Sequence, residues 1–416
     1  IAGVCLKPVT HGKIVRMTEN AAATALLTDP MAIFAYLAGL MGVIFWLSGL
    51  PRLQKLFDIM PAILFVYFLP TLSTAFGITP AASPAYDWMT RYLLPLALFL
   101  LMLTLDLPAI ARLGGMALLM MLAGTLGTAV GAPLTYLVFG KLLPEDAWMG
   151  LAALSGSWIG GTANLVAVAE SVGAPPNIMG PTIVVDTLIG YGWMALLLAF
   201  STRQHLWDRR VHAHVEALEA TNRRLGELQA HQRPIDTRSV AIILALGFVA
   251  TVAAVSAGAA LPAVGDPTII SHTTWAILIV VTGGLLLSLT PLRNLEEVGA
   301  SRLGYVALYL LLTGIGAQAD LRAIFDAPLF LAAGAFWIVI HAAVLLIVAR
   351  LLRAPLFFFS TASMANIGGA VSAPIVASVY QPAMAPVGLL MAVLGYILGT
   401  YVGLGCAWLL AIMATG

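Results

Sequence analysis

SGSWIGGTANLVAVAE (Ser155 to Glu170) and STASMANIGGAVSAPIVAS (Ser360 to Ser378) are polar, glycine-rich islands in otherwise apolar sequence. Both carry the frame Ser-x-x-x-Ile-Gly-Gly, at Ser155, Ile159, Gly160 and Gly161 and at Ser363, Ile367, Gly368 and Gly369. Lipid offers no partner to a free backbone amide. Such a stretch at membrane depth persists only when buried in protein or lining a wet cavity. Interrupted segments in matching positions of two halves are a sequence pointer to the binding site of a secondary transporter.

The surrounding composition fits that setting. Hydrophobic residues make up 61% of the 416-residue chain and charged residues 9%, against roughly 25% charged in soluble domains. The chain therefore reads as an all-α polytopic membrane protein with the lipid bilayer as its environment. The net charge of +1 points to no nucleic acid and no acidic partner. Cys5 and Cys406 suggest neither a disulfide framework nor a metal site. No HExxH, GxSxG or P-loop occurs, so an enzyme is not expected. Residues 1–28 form a tail without the apolar core of a signal peptide, and residues 1 to 16 read as an upstream extension with no assigned function.

Apolar runs of about 20 residues, enough to cross a bilayer, fall near 31–50, 59–78, 92–110, 113–139, 147–170 and 178–201. A second set falls near 239–262, 273–292, 302–318, 328–350, 355–380 and 384–413. The expected division is a first membrane repeat at 29–201, a linker at 202–238 and a second repeat at 239–416. The linker contains RQHLWDRRVHAHVEALEATNRRLGELQAHQRP (Arg203 to Pro234), with arginine but no lysine and near-helical spacing of Val211, Val215, Leu218, Leu225 and Leu228. It reads as an amphipathic helix, cytoplasmic by the positive-inside rule. Its histidines, His205, His212, His214 and His231, could form a regulatory metal or pH sensor, but they fit a solvated face better.

Three colinear matches relate the halves: Asp106-Leu107 to Asp320-Leu321, the glycine frames, and Pro181 to Tyr191 with Pro386 to Tyr396, at offsets of 214, 208 and 205. Short basic loops (Arg52, Lys55, Arg112; Arg293, Arg302, Arg350, Arg353) place the third span ending inside and its partner beginning inside, so the repeats are inverted. Twelve simple crossings would make them parallel. The inversion is the stronger signal, and it implies one miscounted crossing, placed between about 178 and 292.

The segments GSWIGGTAN, VVDTLIGYGWM, GIGAQADL, ASMANIGGAVSAP and APVGLLMAVLGY resemble the YjcL-like membrane proteins, the domain-of-unknown-function family numbered 819, from about Asp29 to Ala411. That family is grouped with the cation/proton antiporter and anion transporter superfamily. The resemblance implies an inverted-repeat fold of about 11–13 transmembrane segments, with two crossing broken helices, a mobile core, a scaffold and homodimeric assembly. It implies transport without assigning a substrate.

At each break, half-helix N-termini present amides and partial positive charge, and C-termini present carbonyls. Around the first lie Ser155, Ser157, Thr162 and Asn164; around the second, Ser360, Thr361, Ser363, Asn366 and Ser372. Such neutral groups suit a small polar solute or Na⁺, with the cation expected near Asn164, Asp186 and Asn366. Small and hydroxyl residues also permit plain tight packing. Asp186 is an acid in an otherwise apolar span, a costly placement that marks an ion or proton pathway. A structural hydrogen bond is its bland alternative. His341 stands in IVIHAAVL and could bind solute, carry a proton or simply pack. Trp158, Tyr191 and Trp193 could wall the pocket. Glu170, Asp106 and Asp320 sit at span ends.

The expected function is an elevator-type secondary transporter in the cell inner membrane, coupled to Na⁺ or H⁺, for a small anionic organic solute. It would need no cofactor. The alternative is a membrane-embedded sensor or scaffold whose output is the linker.

Overall fold

The computed structural model describes residues 25–59, 62–111, 113–214, 234–264, 270–319, 327–381 and 384–415. The tail through residue 24, Arg112, the linker core at 215–233 and Asp320-Leu321 lie outside the described residues. Every apolar run predicted above contains a helix. Among the described residues there is no strand, only an isolated bridge between Val264 and Ile270.

In the first half, α1 (Pro30–Ser48), α2 (Gln54–Ile59) and α3 (Ala62–Ala75) precede α4 (Pro84–Trp88), which runs through a π turn into α5 (Leu94–Leu103). There follow α6 (Leu107–Ala111), α7 (Gly115–Phe139), α8 (Ala147–Gly160), α9 (Thr162–Val172), α10 (Pro176–Ser201) and α11 (Gln204–Val211). The second half comprises α12 (Thr237–Ala260), α13 (His272–Leu287), α14 (Ala300–Gln318), α15 (Ala327–Leu351), α16 (Leu356–Ile367), α17 (Gly369–Tyr380) and α18 (Ala385–Thr415). Helix starts follow capping rules: Asp29 and Asp236 accept from the amides of Ala32 and Ser239, each at 2.8 Å, satisfying donors the helix leaves orphaned.

The chain divides into two compact units, Ile1–Thr90 with Tyr309–Leu321, and Arg91–Leu308 with Arg322–Gly416. In the first, hydroxyls of Thr71 and Thr74 donate to the carbonyls of Gly316 and Ala317, each at 2.7 Å, closing the C-terminal end of α14. The second unit holds both glycine frames.

Contacts along α7 and α15 give their directions. His341 lies 3.1 Å from the Gly124 carbonyl, Trp337 Nε1 donates to the Thr128 carbonyl at 3.0 Å, and the Phe336 ring meets Phe139 at a tilt with centroids 5.7 Å apart. Numbers rise on one helix as they fall on the other, so these repeat mates run antiparallel. The same holds for α10 and α16, where Gly190 meets Ile367 and Trp193 meets Ser363. Helices α8 and α10 run parallel, with Gly150 against Ile178 and Thr182 and Ser157 against Asp186. Helix α18 opposes α8, since Gly395 meets Ile159 and Gly403 meets Gly156. The directions of α7, α8 and α10 are thus each reversed in α15, α16 and α18. The repeats are inverted.

These directions correct one expectation. The two frames do interrupt their helices, but neither is a broken helix that crosses the membrane. A Cβ at Gly156 would lie 2.7 Å from the Asn164 carbonyl oxygen and 2.9 Å from Val168 Cγ2, so α9 folds back along α8. Ser360 Oγ donates to Tyr380 Oη at 2.8 Å, although a straight path over those twenty residues would span about 30 Å. Both segments are re-entrant hairpins. Seven described helices (α1, α7, α10, α12, α14, α15 and α18) are each long and apolar enough to cross alone. Counting the shorter α3, α4–α5 and α13 as spans, the described residues of each half give five crossings and one hairpin. Five is odd, which inverts the second half without any crossing missing between 178 and 292.

Candidate functional site

The hairpin tips meet inside the second unit. Gly161 and Gly369 have φ of 79° and 63°, a region open to glycine and strained for other residues. A Cβ on Gly369 would lie 3.8 Å from Gly161 Cα. Helices α8 and α16 would extend about 21 and 18 Å, nearly filling the ~40–45 Å of a bilayer with its headgroups. Entering from opposite sides, they place the junction near mid-depth.

Two short helices begin at that junction, α9 and α17, and present their N-terminal amides there. Ser157 O and Gly161 O accept the amides of Gly161, Asn164 and Leu165, while those of Thr162 and Ala163 receive no backbone partner among these bonds. Thr162 is half-exposed beside them. On the facing tip the Ser372 side chain is 4% exposed, and its Oγ lies 3.0 Å from where a Gly368 Cβ would sit. Gly161 and Gly369 thus bring the two tips together, with Gly160, Thr162, Gly368 and Ser372 as their neighbours.

The two asparagines fasten the hairpins. Asn164 Nδ2 donates to Gly160 O at 2.7 Å and to Tyr396 O at 3.3 Å, while its oxygen accepts from Thr400 Oγ1. Asn366 Nδ2 donates to Ala362 O at 2.9 Å, and its oxygen accepts from Thr125 Oγ1 at 3.0 Å. Hairpin one is thereby tied to α18 and hairpin two to α7. Both amides are committed within the protein.

His341 is fully buried and holds four helices together. Nδ1 faces the Gly124 carbonyl and Thr128 Oγ1, each at 3.1 Å, and Nε2 faces Ser363 Oγ at 3.0 Å. The carbonyl can only accept, so Nδ1 carries the hydrogen and neutral Nε2 accepts from Ser363. Ser363 in turn accepts from Trp193 Nε1 at 2.8 Å. Every member has a partner, as a structural node requires.

Asp186 sits apart from that node. Ser157 Oγ donates to Oδ1 at 2.8 Å, and both residues lie ten positions into their parallel helices, about 15 Å deep. The Trp158 indole N–H lies near the same carboxylate but outside hydrogen-bond geometry, so it is buried without a partner. Its repeat mate Met391 is fully buried and apolar, which leaves the carboxylate on one side of the pseudosymmetry. Ser155 donates to Ala152 O at 2.6 Å and stays within α8, away from the tip.

Three features escaped the sequence reading. Tyr396 lies against both tips, its phenol 2.6 Å from that of Tyr305. Thr125 and Thr128 supply hydroxyls from α7. The linker start docks on hairpin two: Trp207 Nε1 donates to Ala354 O at 3.1 Å, and Asp208 accepts the Leu356 amide at 2.8 Å. Only the repeat of Tyr191 in Tyr396, beside Gly395, Gly399 and Gly403, signalled the first of these in advance.

Comparison with known proteins matches residues 35–413 to the model of a family described as "Protein of unknown function (DUF819)". The chain is also similar to the "Uncharacterized membrane protein YjcL" of Bacillus subtilis (strain 168), at 27% identity over 342 residues, covering 79% of this chain and 85% of that protein. With nearly its whole length matched and its glycine frames built into paired hairpins, the chain belongs to the DUF819 family of membrane proteins.

Proposed function

We propose that the protein is a secondary transporter of a small anionic organic solute, coupled to Na⁺ or H⁺ and working by an elevator motion as a homodimer in the inner membrane. The observation that carries this reading is the meeting of two inverted re-entrant hairpins at Gly161 and Gly369. Each tip starts a helix whose amides and partial positive charge favour an anion. Thr162 and Ser372 add hydroxyls. Asp186 is the coupling group: beside a tip, hydrogen-bonded to Ser157 and retaining acceptor capacity for a cation or proton. Small-residue contacts between α8 and α18 (Gly156, Gly160, Gly399, Gly403) let a packed group of helices move as one body. Early spans would form the scaffold and the linker would face the cytoplasm. Solute and ion carry the chemistry; no enzymatic step and no resident cofactor enters.

Docking of Trp207 and Asp208 on the base of hairpin two favours a second reading, in which the linker reports the hairpin's state as a sensor. A thermal-shift screen of purified protein against small carboxylates and neutral controls, in Na⁺ and in K⁺ at two pH values, separates the two. Transport predicts carboxylate stabilisation that depends on Na⁺ or on pH. Stabilisation by no solute, or one indifferent to both ions, would reject coupled transport.

A further inference from the structure

Tyr396 lies where the two hairpin tips meet. A Cβ on Gly161 would lie 3.3 Å from its Cε1, and one on Gly369 would lie 3.8 Å from Cε1 and 4.0 Å from Oη. One ring therefore rests on both hairpin tips. Its backbone is fixed, since Tyr396 O accepts from Asn164 Nδ2 at 3.3 Å. Its hydroxyl is held by a different helix, with Tyr305 Oη on α14 at 2.6 Å. Both tyrosines are only partly buried.

From this geometry we infer that Tyr396, clasped by Tyr305, is the gate of the tip cleft and the side chain that limits which solutes enter it. The ring sets the size limit because it spans the gap between the tips. The phenol supplies a neutral donor beside two helix N-termini, where a carboxylate would be drawn. Opening breaks the Tyr305–Tyr396 hydrogen bond while the Asn164 tie keeps the Tyr396 backbone on hairpin one. The gate thus swings at its side chain, with α14 as the fixed post. This inference rests on the tip cleft of the proposed function.

The test needs no known solute. Thr162→Cys serves as the tip reporter in a Cys5→Ala background; native Cys406, 5% exposed, serves as the interior control. Purified, monodisperse protein is reacted with a sulfonate-bearing and with a trimethylammonium-bearing methanethiosulfonate, and labelling at each cysteine is followed by mass spectrometry. Tyr305→Phe and Tyr396→Phe each remove the clasp while keeping a ring, and should speed tip labelling about fivefold, the effect of one hydrogen bond. Tyr396→Ala, which also removes the ring, should speed it further and admit bulkier reagents. Cys406 should label at the parent rate throughout. Unchanged tip labelling in both phenylalanine variants would overturn the gate, and so would equal acceleration at Cys406, which would mean general loosening. A tip unreactive in the parent and in every variant would instead remove the aqueous cleft, and with it the gate. A faster reaction with the cationic reagent would leave the gate standing and reject the anionic solute class.

Discussion

Replacing Gly161 by alanine attacks the first hairpin at its turn. The residue has φ 79° and ψ −178°, a combination open almost only to glycine, and holding alanine there costs about 1–3 kcal/mol. The added Cβ would also press Tyr396 Cε1 at 3.3 Å, so the ring must shift or the tip must open. Gly369→Ala also strains a positive φ, 63°, at about 1–3 kcal/mol, but it is milder because nothing comes closer than 3.8 Å. Gly192→Ala is the control. It lies in α10 with nothing within 4 Å, so alanine should stabilise by about 0.5–1 kcal/mol. The expected order of stability is Gly192→Ala, parent, Gly369→Ala, Gly161→Ala, with roughly 2–4 kcal/mol between the ends. Reversible unfolding in mixed micelles, followed by tryptophan fluorescence, reads the order. Hydrogen exchange over 155–168 should locate the loss in hairpin one. A Gly161→Ala protein as stable as Gly192→Ala would refute the tight turn and the tip-to-tip meeting built on it.

Three further outcomes follow from single side chains. Asp186→Asn keeps shape and hydrogen bonding but removes the charge, so the protein should insert and purify normally while losing ion-dependent stabilisation in the thermal-shift screen. Unaltered ion dependence would make Asp186 a structural residue. Asn164→Ala leaves the Gly160 carbonyl and the Thr400 hydroxyl without their amide partner and should cost about 1–3 kcal/mol, with hydrogen exchange rising first in 155–168; no change there would reject its fastening role. Asp208 lies outside the spans, and its partial burial raises its carboxyl above the ordinary value, opposed by the Leu356 amide. A raised folded value means that its stabilising share is complete below the ordinary carboxylate range and is lost as pH rises through the folded value. Asp208→Asn should therefore gain on the parent as pH rises, and parallel pH profiles would contradict this.

The helical class and the two interruptions were legible because glycine pairs amid apolar runs have few physical uses. The inversion was legible too, through arginine placement. What hydropathy does not encode is direction. A hairpin and a broken crossing both read as an apolar run with a polar middle, and only the Ser360–Tyr380 and Gly156–Val168 contacts tell them apart. The conflict between basic loops and an even crossing count was the trace of those hairpins, read as a miscount elsewhere in the chain. His341 was visible as an intramembrane titratable group, but its partners come from α7 and α16, whose approach no local pattern shows. Tyr396 was hidden for the same reason: aromatic residues fill cores, and only the fold puts this one on both tips.

Concentrative uptake tests the central claim most directly. A solute that stabilises the purified protein is offered, radiolabelled, to proteoliposomes carrying an imposed Na⁺ or H⁺ gradient. The account predicts accumulation above the external concentration, collapse of that accumulation with an ionophore for the coupling ion, and its loss in Asp186→Asn. Uptake that only reaches the external concentration, whatever the gradient, would contradict coupling and leave a passive pore or a binding protein in its place.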